Sequence, residues 1–129
     1  MTRAVVLLVE DEILIADMAE TGLSEAGFEV STVTNGNKAL AALEADAARF
    51  RAIVTDIRLG KGPDGWAIAR RARELVPGLP IVYMTGDSAH EWSSKGVPNS
   101  VIIAKPFATA QIVTAVATLL NQADSSPTT

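Results

Sequence analysis

Ala52–Ile53–Val54–Thr55–Asp56 reads as a short buried strand that ends abruptly in a carboxylate. Beyond it come Ile57–Arg58–Leu59 and then Gly60–Lys61–Gly62–Pro63–Asp64–Gly65, a run of turn formers that cannot continue a strand. Asp56 therefore stands at the carboxyl end of a strand and opens a loop. Ligands bind along that edge in open α/β sheets, so the position raises a question of chemistry. The competing reading is structural, because strand-end aspartates also cap following helices.

Four further stretches have the same character. Ala4–Val9 is a continuous apolar run suited to a parallel strand covered on both faces, and Glu10 and Asp11 follow it. Phe28–Val33, Pro80–Thr85 and Ser100–Ala104 complete a set of five strands. Between them the apolar spacing is helical. Ile13, Ala16, Met18, Ala19, Leu23 and Ala26 mark a first helix, with Gly27 as its C-terminal cap. Ala39, Leu40, Ala42 and Leu43 mark a second, and Trp66, Ile68, Ala69, Ala72, Leu75 and Val76 a third that stops at Pro77–Gly78. Gly86–Asn99 has helix-starting residues but a thin apolar stripe, which predicts a short or mobile fourth helix. Ile112, Val113, Val116, Leu119 and Leu120 mark a last helix from Ala108 to about Asn121, and Ala123–Thr129 reads as a disordered polar tail. Strands alternating with helices imply right-handed crossovers. The fold class is α/β, a doubly wound five-stranded parallel sheet with helices on both faces.

Bulk properties narrow the function. A chain of 129 residues has room for one domain of ordinary size, read as residues 1–122 followed by the tail 123–129. Net charge is −4, and the only basic cluster, Arg70, Arg71 and Arg73, reads as the solvated face of a helix. No nucleic acid and no anionic membrane is expected as a partner, since both need a concentrated basic surface. The absence of cysteine excludes thiol catalysis and thiolate metal sites. Val5–Val9 is too short for a signal-peptide core or a bilayer span, and the expected location is cytoplasmic.

Polar groups now stand at four of the five strand ends: Glu10 and Asp11, Asp56, Thr85 and Lys105. In a parallel sheet these ends share one edge, so the groups face a common cleft. Carboxylates brought together must protonate or recruit a cation, and an all-oxygen donor set favours a hard ion such as Mg²⁺. A lysine opposite them suits a transferring phosphoryl group, and a threonine hydroxyl can bond one of its oxygens. Separately each residue has a plain structural reading. Agreement of all four positions on one edge is what favours chemistry.

Val9–Glu10–Asp11–Glu12, Val54–Thr55–Asp56, Pro63–Asp64–Gly65, Met84–Thr85–Gly86 and Lys105–Pro106–Phe107 together make the chain resemble the CheY-like receiver domains of bacterial two-component response regulators. The resemblance covers roughly residues 4–121 and implies a strand order of 2-1-3-4-5. It implies that Asp56 is the phosphoacceptor, taking its phosphoryl group from a phosphohistidine on a sensor histidine kinase or histidine phosphotransferase. Asp11, Asp56 and the main-chain carbonyl of Arg58 would hold Mg²⁺, Glu10 would act mainly through water, Lys105 would pair with the phosphoryl group, and Thr85 would swing inward to bind it. A downstream protein target would read the fourth helix, fifth strand and fifth helix. The protein would not be an enzyme beyond catalysing its own phosphorylation and dephosphorylation. With no output domain in the sequence, it is expected to act alone, by docking or as a relay.

The chain also departs from that pattern. Ile102 stands where many receivers carry an aromatic residue, and Tyr83 is read as a core or helix-contact aromatic on the same side as Thr85. Gly60 and Gly62 lengthen the loop after Asp56 and predict mobility there. Arg58 and Asp87 are expected to pair across the cleft and slow hydrolysis of the acyl phosphate, and His90 is expected in solvent. Two alternatives remain. An aspartyl-phosphate phosphatase would need a second aspartate where Arg58 stands. A phosphorylation-independent pseudo-receiver would tend to lose members of the set that is intact here.

Overall fold

The computed structural model describes residues 3–125. Five strands run parallel, β1 (Val5–Val9), β2 (Glu29–Val33), β3 (Phe50–Asp56), β4 (Ile81–Thr85) and β5 (Ser100–Ala104), in the order β2-β1-β3-β4-β5. Five helices alternate with them, α1 (Ile13–Glu25), α2 (Gly36–Asp46), α3 (Gly65–Leu75), α4 (Trp92–Lys95) and α5 (Thr109–Ser125). Fold class and strand order are as expected. Val9 lies level with Thr55, Asp56 with Met84 and Thr85 with Ala104, so the carboxyl ends of the central strands form one even edge.

Alternate side chains of each strand feed two cores. Leu7, Val9, Ile53, Ile81 and Tyr83 pack with α2 and α3 residues on one face. Val6, Leu8, Ala52, Val54, Val82 and Met84 pack with α1 and α5 residues on the other. Burial on both faces is why these strands are apolar without alternation. Two helix starts follow cap chemistry: at α2 Asn35 Oδ1 accepts from Lys38 N at 2.8 Å, and at α3 Asp64 Oδ1 accepts from Ala67 N at 2.9 Å.

Several expectations need correction. On α1 the buried residues are Ala16, Ala19 and Leu23, whereas Ile13 is 78% and Met18 39% exposed, and Ala26 is exposed too. Met18 lies half a turn away from that stripe, and Ile13 opens the helix beyond the end of β1, where no strand lies beneath it. Helix α5 continues past Asn121 to Ser125, since neither glycine nor proline interrupts it before Pro127; the rest of the expected tail, 126–129, lies outside the described residues. The basic trio is more than a solvated face. Arg71 Nε donates to Glu44 Oε1 at 2.9 Å, and Arg73 donates to the carbonyls of Leu79 and Pro98, both at 2.6 Å.

The loop after β3 is anchored at its two ends, while Gly60, Lys61 and Gly62 between them are exposed. Ile57 and Leu59 are core residues, 3% and 4% exposed. Gly60 and Gly62 have φ of +75° and +95°, conformations that side-chain-bearing residues rarely adopt, so they shape the turn. Gly65 presses against the phosphoacceptor candidate: a Cβ there would lie 2.4 Å from the Asp56 carbonyl oxygen. Between β4 and β5 the expected short helix is a 3-10 turn, Ala89–Glu91, followed by the single turn of α4.

Candidate functional site

The even sheet edge delivers the expected residues to one cleft of about 310 Å³, lined by Asp11, Glu12, Asp56, Arg58, Thr85, Gly86, Asp87 and Lys105. Glu10, Asp11 and Asp56 each place a carboxylate oxygen within 4.8 Å of the others. Glu10 is fully buried directly after β1, Asp56 closes β3 at 5% exposure, and Asp11 reaches solvent. Lys105, at the end of β5, spans the pair from the far side, with Nζ 3.0 Å from Glu10 Oε1 and 3.2 Å from Asp56 Oδ2. The other Asp56 oxygen, Oδ1, accepts from Ile57 N at 2.9 Å. A hollow of about 440 Å³ at the opposite edge is lined by Pro77, Pro80, Asn99 and Leu119 among others, and it holds no titratable group.

Electrostatics at the cleft follow from burial. Loss of water pushes the Glu10 carboxyl up to about 7, and the nearby Asp56 charge adds to the shift against the opposing bonds from Lys105 and the Glu12 amide. Asp56 is likewise raised by burial, although Lys105 pulls the other way. Burial would lower the Lys105 ammonium, but its bonds to Glu10 and the Asp56 charge outweigh that and raise it. The one lysine does not neutralise the three carboxylates, so a further positive charge or a proton is accommodated here. An all-oxygen set without sulfur or imidazole matches a hard divalent cation.

Thr85 is 2% exposed and turned toward the following loop, where its hydroxyl accepts from Ser88 N at 2.7 Å and Asp87 N at 3.2 Å. Arg58 Nε donates to Asp87 Oδ1 at 2.9 Å, so the expected pair is formed, with side chains 71% and 59% exposed. The Asp87 carboxyl is held below its usual range by that bond. His90 is exposed, as expected. Tyr83 is fully buried, its ring centroid 4.7 Å from that of Trp66 and its hydroxyl accepting from Val97 N at 3.1 Å. Two residues escaped the sequence reading. Ser88 is buried and donates to Asp87 Oδ1 at 2.9 Å, and Glu12 lies 3.8 Å from Lys105 Nζ. A threonine hydroxyl at a strand end signals a turn closed on the following amides, but any non-proline residue could supply them, so Ser88 itself was not marked.

Comparison with known proteins agrees with this geometry. A response regulator receiver protein from Sinorhizobium medicae is 50% identical, covers 92% of this chain and 95% of its own, and superposes with a TM-score of 0.87. The transcriptional regulatory protein CusR of Escherichia coli is 36% identical over 121 residues, 90% of this chain but 51% of that protein. The chain spans about half the length, or less, of the first curated relatives it matches. The receiver domain of the sensor histidine kinase PA1611 from Pseudomonas aeruginosa, solved with a magnesium ion coordinated in its active site cleft, shares the fold at 24% identity and a TM-score of 0.78, covering 93% of this chain and 99% of its own. Residues 6–117 match the sequence model described as the response regulator receiver domain, and this chain accordingly belongs to that family, the receiving module of two-component signalling.

Proposed function

We propose that Asp56 accepts a phosphoryl group from a phosphohistidine on a sensor histidine kinase or histidine phosphotransferase. The observation that carries this reading is the convergence of Glu10, Asp11 and Asp56 within 4.8 Å, closed by Lys105 on Asp56 Oδ2. A carboxylate oxygen of Asp56 attacks phosphorus as the bond to the donor imidazole breaks. Lys105 stays beside the equatorial oxygens and offsets their charge. Asp11 and Asp56, with the main-chain carbonyl of Arg58 and with Glu10 through water, would hold Mg²⁺, whose charge lets phosphate and carboxylates share the cleft. Thr85 then has acceptor oxygens to turn toward, and the population shift is limited to the interaction energy it and Lys105 gain.

The donor has to cover the cleft. Ile13 and Leu14, 78% and 84% exposed beside it at the start of α1, are the apolar contacts that a docking helix would bury. A downstream protein is expected on α4, β5 and α5. Neither nucleic acid nor a membrane is expected as a partner of residues 1–122, which form the working unit in the cytoplasm; none of the described helices is long and apolar enough to cross a membrane. Catalysis is confined to the chain's own phosphorylation and dephosphorylation. Incubation with acetyl phosphate and Mg²⁺ gives a phosphoryl mass gain that Asp56→Ala abolishes. Wild-type protein that gains no mass is instead a phosphorylation-independent interaction module.

A further inference from the structure

The segment between β4 and β5 is fastened near both ends by side chains of one strand. At its start, the Thr85 hydroxyl accepts from Asp87 N at 3.2 Å and Ser88 N at 2.7 Å. Toward its end, the Tyr83 hydroxyl accepts from Val97 N at 3.1 Å. Thr85 and Tyr83 are alternate residues of β4, so they project to the same face, and both are buried. Between the two anchors, Ala89–Glu91 and Trp92–Lys95 contain no buried residue.

Trp92 belongs to the Val97 end. Its Nε1 donates to Ser100 Oγ at 2.9 Å, and that hydroxyl donates to the Val97 carbonyl at 2.6 Å. Gly96 has φ −71°, which any residue can adopt, but a Cβ there would lie 2.4 Å from Trp92 Cδ1. The glycine is therefore needed for the close approach of the indole. Beyond this unit, Arg73 of α3 donates to the Pro98 carbonyl at 2.6 Å and to that of Asn99 at 3.3 Å, which ties down the chain just before β5.

A phosphoryl group on Asp56 acts on one anchor and not on the other. Thr85 lines the cleft, and rotation of its side chain toward the phosphoryl oxygens carries the hydroxyl oxygen away from the Asp87 and Ser88 amides that it now accepts from. Tyr83 has no part in the cleft lining; its ring rests on Trp66 and its hydroxyl stays with Val97. Ile102 is its register neighbour on β5, so no aromatic of that strand can share the task. We propose that Tyr83 is the fixed pivot of residues 86–97, and that release of the Thr85 anchor swings this segment about the Tyr83–Val97 bond so that the Trp92 indole reports the change. The proposal rests on phosphorylation of Asp56.

Protein labelled with 5-fluorotryptophan gives one fluorine resonance for Trp66 and one for Trp92, assigned with Trp92→Phe. Acetyl phosphate with Mg²⁺ is expected to shift the Trp92 resonance and leave Trp66 in place. Tyr83→Phe, which removes only the hydroxyl, is expected to gain the phosphoryl mass as wild type does and to lose the Trp92 shift. Ser100→Ala, which unties the indole from Val97, is expected to lose it as well. An unmoved Trp92 in phosphorylated wild type, or a full shift in phosphorylated Tyr83→Phe, overturns the pivot while leaving the phosphoacceptor reading intact. Failure of wild type to gain mass removes that reading and the pivot together.

Discussion

Of the strand exits beside the cleft, those after β3 and after β4 are built on different forces. The first is held by apolar burial: Ile57 and Leu59 sit in the core, Gly65 abuts the Asp56 backbone, and α3 follows with Trp66, Ile68, Ala69 and Ala72 buried. The second is held by backbone amides donating to the Thr85 and Tyr83 hydroxyls, and α4 contains no fully buried residue. Burial is non-directional and survives small shifts, whereas a hydrogen bond is exchanged for another at little net cost. The difference assigns a rigid wall to the Asp56 side and the movable wall to the Thr85 side.

Leu59→Ala tests the rigid wall most severely, with an expected loss of about 2–5 kcal/mol in denaturant unfolding from transfer and cavity terms. A cost near that of a surface residue would erase the contrast. Next comes the floor shared by both walls, read by pH in the absence of metal. Below the ordinary value of 4.5 the Glu10 carboxyl is protonated in folded and unfolded chains alike. From there to about 7 the folded chain keeps the proton that the unfolded chain gives up, so stability declines by up to roughly 3 kcal/mol across that window. Thermal melts at pH 5 and pH 8 check the sign, and added Mg²⁺ raises the melting temperature more at pH 8, where the carboxylates are ionised.

Thr85→Val probes the movable wall. It keeps the shape but leaves the Ser88 and Asp87 amides without their acceptor, an expected loss of about 1–2 kcal/mol by denaturant titration. The smallest structural effect is expected at the pair that bridges both exits. Arg58→Ala leaves the melting temperature unchanged because the ion pair with Asp87 is solvent-exposed, yet it shortens the lifetime of phosphorylated Asp56 by opening the cleft to water. An unaltered decay rate, followed by intact mass, would refute that protective role.

Much of the cleft was legible because strand-end positions translate directly into a shared edge once strands are parallel. Glu10, Asp11, Asp56, Thr85 and Lys105 all arrive there, and Arg58 does meet Asp87. Where the reading failed, periodicity lacked a partner surface. Ile13 and Met18 look like core residues on α1 until the sheet beneath the helix is seen to end at Val9 and to face Ala16, Ala19 and Leu23. Gly60 and Gly62 were read for flexibility alone, since composition does not show that the turn also requires their positive φ. Gly96 belongs to a third kind, admitted only by an indole lying against it.

Taken by itself, the sequence determined the layered α/β fold and the acidic cleft with its opposing lysine. These follow from local rules: apolar runs make covered strands, turn formers end them, and charge placed at strand ends has one edge to occupy. Tertiary structure alone decided that Tyr83 and Thr85 hold opposite ends of one segment, that Arg73 bonds the carbonyls before β5, and that Leu59 is core. The Tyr83–Val97 and Arg73–Pro98 bonds join residues far apart in the chain and Leu59 is covered by the elements packed around it; the relative placement of those elements sets all three, and no local spacing encodes it.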